Sequence, residues 1–174
     1  MEDKPIVLVG LMGAGKTSIG RALARSLSMP FIDTDQEIER ISGCSVIDIF
    51  GLYGEAEFRR IETLVFGRLL SSEPVRKVIS TGEGAFITSE IRKLALTRAV
   101  TIWLKADLQL LSKRTSLRRT RPQLLVSEPS EILSKLMAER YPIYAKADMT
   151  IETQSETKEE TLAKVVSALA DIGY

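Results

Sequence analysis

The stretch Gly10–Ser18, GLMGAGKTS, decides the reading of this chain. It fits the pattern G-x-x-x-x-G-K-[ST], with Gly10, Gly15, Lys16 and Thr17 at the fixed positions. The apolar run Ile6-Val7-Leu8-Val9 comes before it and reads as a short buried strand. The segment Thr17 to Leu27 comes after, with Ile19, Leu23 and Leu27 on one helical face. Strand, glycine-rich loop and helix in that order make a phosphate cradle. Its backbone N–H groups, from Gly13, Ala14, Gly15 and on to Ser18, turn inward around an anion. The helix N-terminus adds its positive end. Lys16 is placed to reach the β- and γ-phosphates, and the Thr17 hydroxyl to hold Mg²⁺. A glycine-rich turn that merely happens to carry Lys-Thr is the weaker reading.

Working outward, short apolar runs alternate with longer helical patterns, which predicts an α/β fold on a parallel sheet. Strands are expected at Phe31-Ile32, Val75–Ile79, Val100–Leu104 and Ala147–Glu152. With the first strand they give a five-stranded sheet between two helical layers, one domain over residues 1–174. The second strand runs into Asp33-Thr34-Asp35 at its C-terminal end, where open α/β sheets bind ligands. One of these carboxylates can cap the helix predicted from near Gln36 to Ile41. A site accounts for the pair at least as well.

A short helix is predicted over Ser45–Leu52, ended by Gly51 and Gly54. A stronger one follows over Gly54–Leu70, with Phe58, Ile61, Leu64, Val65 and Leu69 on its apolar face. Arg59 is spaced for helical ion pairs with Glu55 and Glu62, so a surface salt bridge is its simplest role. The third strand leads into Ser80-Thr81-Gly82-Glu83-Gly84, and glycines directly after a strand permit close approach of a ligand. Helices are predicted over Ser89–Leu96, capped by Ser89 or Thr88, from Leu108 to Arg114, over Ser130–Tyr141, and over Thr157–Ile172.

The run KRTSLRRTR carries five basic residues, Lys113, Arg114, Arg118, Arg119 and Arg121. A solvated loop, a nucleic-acid surface and a segment closing over phosphates are the three readings. The phosphate loop favours the third, and the lack of interleaved aromatics weakens the second.

Composition narrows the classes. The 174 residues are 44% apolar and 27% charged, with 24 basic against 23 acidic side chains and a net charge of +1. No general polyanion partner follows from that balance. Cys44 is the only cysteine and histidine is absent, which argues against a disulfide framework, a typical zinc site and a Ser-His-Asp triad. The start MEDKP lacks the order of a signal peptide, and no apolar run approaches a membrane span. A soluble cytoplasmic protein is expected, with no membrane or nucleic-acid partner.

Taken together, GLMGAGKTS, FIDTDQEIE, GEAEFRRIE, STGEGA, RTSLRRTRPQL and ERYPIYAKAD resemble the shikimate kinases, small P-loop enzymes similar to nucleoside-monophosphate kinases. The resemblance implies transfer of the γ-phosphoryl group of ATP to the 3-hydroxyl of shikimate, with Mg²⁺; a monomer is expected. It implies an acceptor-binding region over about 33–62 and a mobile lid over about 113–126. Asp35 matches the carboxylate that binds the shikimate hydroxyls and serves as base. Asp33 matches the acidic residue near the metal. Arg59 and Arg140 match the pair that grips the substrate carboxylate, and Glu62 matches the residue that orients Arg59. Arg121 matches the lid arginine that reaches the phosphates, and Arg114 the arginine that stacks on adenine. Gly82, Glu83 and Gly84 match the loop whose backbone binds shikimate.

Two departures stand out. The family usually carries three glycines where this chain has Gly82-Glu83-Gly84. The middle N–H survives substitution where the backbone keeps its shape, and fails where that position needs positive φ. Glu83 also brings negative charge near the substrate carboxylate, which weakens binding unless the side chain turns away or pairs with a lid arginine. In the adenine region, Thr153 to Lys158, the family's arginine is missing and Lys158 is the nearest basic residue. Alternatives to shikimate phosphorylation are a P-loop kinase for another small hydroxy acid and a non-catalytic nucleotide-binding module.

Overall fold

Four consecutive apolar residues form β1, Ile6–Val9, and all four are fully buried. An unbroken apolar strand suits the middle of a parallel sheet, where both faces are covered. There β1 lies, with β3 (Val78–Ser80) on one side and β4 (Val100–Ala106) on the other; Ile6 stands opposite both Val78 and Val100. β2 (Phe31–Asp33) adds beyond β3 and β5 (Met149–Thr153) beyond β4. The result is a five-stranded, all-parallel sheet in the order β2-β3-β1-β4-β5. This computed structural model describes residues 4–116 and 129–174. Arg118, Arg119, Arg121 and most of the lid expected over 113–126 lie outside the described residues.

The strand order sets the layers. From β1 the chain runs outward to β2 through α1 (Lys16–Ser26). It then travels back across the sheet. α2 (Thr34–Ser42) and α3 (Val46–Ser71) lead to β3, and α4 (Ser89–Arg98) leads to β4. α5 (Leu108–Ser116) and α6 (Pro129–Tyr144) precede β5. Right-handed crossovers that run in opposite directions put their helices on opposite faces. α1 therefore covers one face while α3 and α4 cover the other. α7 (Lys158–Asp171), after the last strand, packs beside α1. The layers are those expected from the sequence.

Several boundaries differ from the sequence expectation. α2 begins at Thr34, because Asp33 takes the N-cap: its side chain accepts the Asp35 N–H. Two helices are present as predicted on either side of Gly54, whose non-helical φ 80° and ψ 172° put a sharp kink inside the span taken together as α3. Gly51 lies inside the helix. Leu64, expected on the apolar face, is 60% exposed, while Phe66 and Glu62 on the inward side are buried. β3 starts at Val78, three residues later than predicted. The ladder there is joined by Ile6 N–H to Lys77 O at 2.9 Å, and Val75 is 41% exposed. Lys77 itself is buried, its ammonium donating to Leu69 O at 2.8 Å and Ser72 O at 2.6 Å. A cation thereby satisfies carbonyls at the C-terminal end of α3. Among the described residues no helix is long and apolar enough to cross a membrane.

Candidate active site

The chain leaves β1 at the C-terminal edge of the sheet and turns at once into the loop that ends at Gly15. Gly15 is the N-cap of α1, in the left-handed region at φ 96°, with no side-chain cap. The first N–H groups of α1 thus have no side-chain acceptor, which suits an anion. The Lys16 ammonium donates to Gly10 O at 2.7 Å and Leu11 O at 2.9 Å, so it is held over the loop. A cavity of about 820 Å³ opens in front, lined by residues 12–18 with Asp33, Asp35, Thr81, Arg114 and Lys158. Arg114 closes over the loop, its Nη1 donating to Gly13 O at 3.2 Å. The arginine expected at adenine therefore stands against the phosphate loop, with Lys158 on the same cavity wall.

Thr17 donates its hydroxyl to Asp33 Oδ2 at 2.9 Å. Asp33 thus serves two ends at once, capping α2 with Oδ1 and facing α1 with Oδ2. Two oxygens, one hydroxyl and one carboxylate, fit Mg²⁺, which binds few protein ligands and keeps waters and phosphate oxygens. The described residues hold no cluster of three or more His, Cys, Asp or Glu that would make an all-protein metal cage.

A second cluster adjoins the cavity through Asp35 and Gly82. A Cβ added at Gly82 would lie 2.7 Å from Asp35 Oδ1 and 2.9 Å from Glu62 Oε1. A Cβ at Gly84 would lie 2.2 Å from Arg59 Nη2. Three charged groups from α2 and α3 therefore press on the backbone of one loop, and a side chain at either glycine would displace them. Gly82 N–H donates to the buried Thr34 hydroxyl at 2.9 Å, tying the ends of β2 and β3 together. Arg59 Nη1 donates to Glu62 Oε2 at 2.7 Å, and Glu55 lies 3.3 Å from Nη2. The salt bridges expected from helical spacing are present. The one to Glu62 is buried, which a surface role would not require.

Burial raises the Glu62 pKa above the ordinary carboxylate range, and the Arg59 charge opposes that rise. Burial pulls Arg59 down, yet the charge and hydrogen bond of Glu62 outweigh it, and the guanidinium stays protonated. Glu83 lies on the same loop, between the two glycines. Among the non-glycine residues described, only Ser28 has positive φ, so Glu83 needs no strained backbone and its N–H is retained. Its carboxylate turns to α6 and faces Arg140 at 3.7 Å, while the lid arginines Arg118, Arg119 and Arg121 lie outside the described residues. Tyr144 donates its hydroxyl to Glu83 O, and burial pushes that phenol above its ordinary pKa.

The structure thus brings Lys16, Thr17, Asp33, Asp35 and Arg114 to one cavity, and Arg59, Glu62, Gly82, Glu83, Gly84 and Arg140 to the cluster beside it. Arg121 lies outside the described residues. Thr34 and Tyr144 went unnoticed in sequence. Both sit inside the quoted stretches, but their partners are 48 and 61 residues away.

The family model for shikimate kinase matches residues 12–170. A shikimate kinase of Mesorhizobium japonicum is 49% identical over 167 residues, 96% of this chain and 81% of that protein. One of Rhizobium meliloti is 47% identical over 166 residues, 95% of this chain and 85% of that protein. A shikimate kinase from Acinetobacter baumannii, solved in complex with shikimate, superposes with a TM-score of 0.90 at 36% identity. The match covers 97% of this chain and 93% of that one. With the phosphate loop, the paired carboxylates and the arginine cluster in place at one edge of the sheet, the chain belongs to the shikimate kinase family.

Proposed function

We propose that the cavity takes ATP and the adjoining cluster takes shikimate, so that the 3-hydroxyl meets the γ-phosphate between them. The observation that carries this reading is the convergence of Asp35, Glu62 and Arg59 on the Gly82–Gly84 loop, beside the phosphate cradle. Arg59, held by Glu62, offers its planar fork to the acid's carboxylate, and Arg140 completes the grip. Asp35, at the junction with the cavity, orients the acceptor hydroxyl and takes its proton as the oxygen–phosphorus bond forms. The bond from the γ-phosphorus to the bridging oxygen breaks in line, and ADP leaves. Lys16, the loop N–H groups and the N-terminus of α1 hold the phosphates and offset their growing charge. Arg121, on the segment after α5, is assigned the same task. Thr17 and Asp33 would hold Mg²⁺, which when bound neutralises phosphate charge.

The test is ADP release by the purified protein with MgATP, with and without shikimate, beside quinate and gluconate. Fast release with shikimate alone is expected. Release driven by another acid moves the acceptor, and none with any acid, ATP still binding, leaves a nucleotide-binding module. Lys16→Ala should lower turnover by orders of magnitude, since one phosphate clamp is lost.

A further inference from the structure

The loop Gly82-Glu83-Gly84 is asymmetric. Its outer positions are filled from outside by Asp35, Glu62 and Arg59, which a side chain there would push aside. The middle position points to α6, where there is room, and carries a carboxylate.

That carboxylate is itself buried, with Glu83 7% exposed and the Arg140 side chain 15% exposed. The 3.7 Å between Glu83 Oε1 and Arg140 Nη1 is too long for a hydrogen bond. Glu83 Oε2 and Arg140 Nη1 are buried and without hydrogen-bond partners among the described residues. The Arg59–Glu62 pair is different, closed by a hydrogen bond at 2.7 Å. A carboxylate that positions an arginine does so through such a bond, because only the bond has direction. Glu83 supplies charge without that hold. Two guanidiniums, Arg59 and Arg140, therefore face two glutamates, Glu62 and Glu83, before any acid arrives.

We propose that Glu83 sets the affinity for the acid substrate, as an internal carboxylate that competes with the acceptor's carboxylate for Arg140. The proposal rests on the reading of Arg140 as half of the carboxylate grip. An acceptor oxygen within about 3 Å of Arg140 Nη1 lies within about 7 Å of Glu83 Oε1. At that range and an effective dielectric of about 20, like charges cost on the order of tenfold in affinity or more. Glycine at this position, as the family usually has, would leave Arg140 to the substrate.

The experiment compares KM for shikimate and for MgATP in wild type, Glu83→Gln, Glu83→Gly and Arg140→Gln. Glutamine keeps the shape and removes the charge; Glu83→Gly restores the triplet and keeps the test open if glutamine packs badly. The expected result is a KM for shikimate lowered about tenfold in both Glu83 variants and raised in Arg140→Gln. KM for MgATP should move less than twofold in the Glu83 variants, a selectivity that a merely structural change would not produce. An unchanged KM for shikimate in the Glu83 variants, with Arg140→Gln still raising it, overturns the proposal; a raised KM overturns it too and makes Glu83 a positioning residue. An unchanged KM in Arg140→Gln overturns the grip reading itself, and the proposal with it.

Discussion

Thr17 and Asp33 are joined by a 2.9 Å hydrogen bond that links the first turn of α1 to the N-cap of α2. One carboxylate thereby closes the phosphate loop against the acidic strand end. Asp33→Asn separates its two tasks. Asparagine caps a helix as well as aspartate does, so the unfolding midpoint should shift by no more than about 2 °C. The charge beside Thr17 is lost, and the Mg²⁺ concentration giving half-maximal rate should rise roughly tenfold. A Mg²⁺ titration at fixed ATP checks this; an unchanged requirement would remove Asp33 from the metal site. Asp33→Ala should in addition cost about 1 kcal/mol of stability, through the lost cap.

Gly82→Ala is a small change with a large expected effect. Its Cβ would meet Asp35 Oδ1 at 2.7 Å and Glu62 Oε1 at 2.9 Å, and both carboxylates must give way. A misplacement on the order of 1 Å costs a reaction about a hundredfold. Turnover should therefore fall about a hundredfold while ATP binding, followed by fluorescence titration, stays close to wild type. Undiminished turnover would show that Asp35 sits elsewhere during reaction.

Glu62 should shape the acid side of the pH profile. Its pKa is raised, first by burial, with Arg59 acting against the rise. As pH falls it takes up its proton above the pH where an exposed glutamate would, at about 4.3. The neutral acid no longer holds Arg59 by charge. KM for shikimate should then rise on the acidic side, beginning above that value. Glu62→Gln should show a raised KM at neutral pH and a flatter acid limb. The stability sign is the reverse. A raised folded-state pKa gives stability that is full below the unfolded pKa and is lost as pH rises through the folded one. Thermal unfolding of Glu62→Gln should therefore lose less between pH 4 and 7 than wild type does.

Lys77 is a stability device away from the site. Its buried ammonium donates to Leu69 O, Ser72 O and the Ser72 hydroxyl. Lys77→Met keeps the apolar stem and strands these acceptors, which should cost about 1–3 kcal/mol. For a chain of this size that lowers the unfolding midpoint by very roughly 2–12 °C, with KM values unchanged. A midpoint equal to wild type would mean that water replaces the ammonium without loss.

The phosphate loop was legible in the sequence because everything it needs is contiguous: an apolar strand, glycines that turn the chain, a lysine, a threonine and a helix. The same holds for Asp33 and Asp35, which end a strand and begin a helix within three residues. Arg59, Glu55 and Glu62 were legible as ion pairs because helical spacing sets them. Only the folded chain showed that the Glu62 pair is buried and pressed on Gly84 and Gly82. It also showed Leu64 outward, at least about 100° round the helix from the buried Val65 and Leu69. The partner of Glu83 was out of reach of sequence reading. Spacing along a chain controls contacts within one helix or turn, and says nothing of where α6 returns after crossing the sheet. The chemistry of the phosphate cradle was therefore determined locally, by residues that fold as neighbours. The setting of the acid site was decided only by tertiary packing, which brings strand ends and helices from distant parts of the chain to one edge of the sheet.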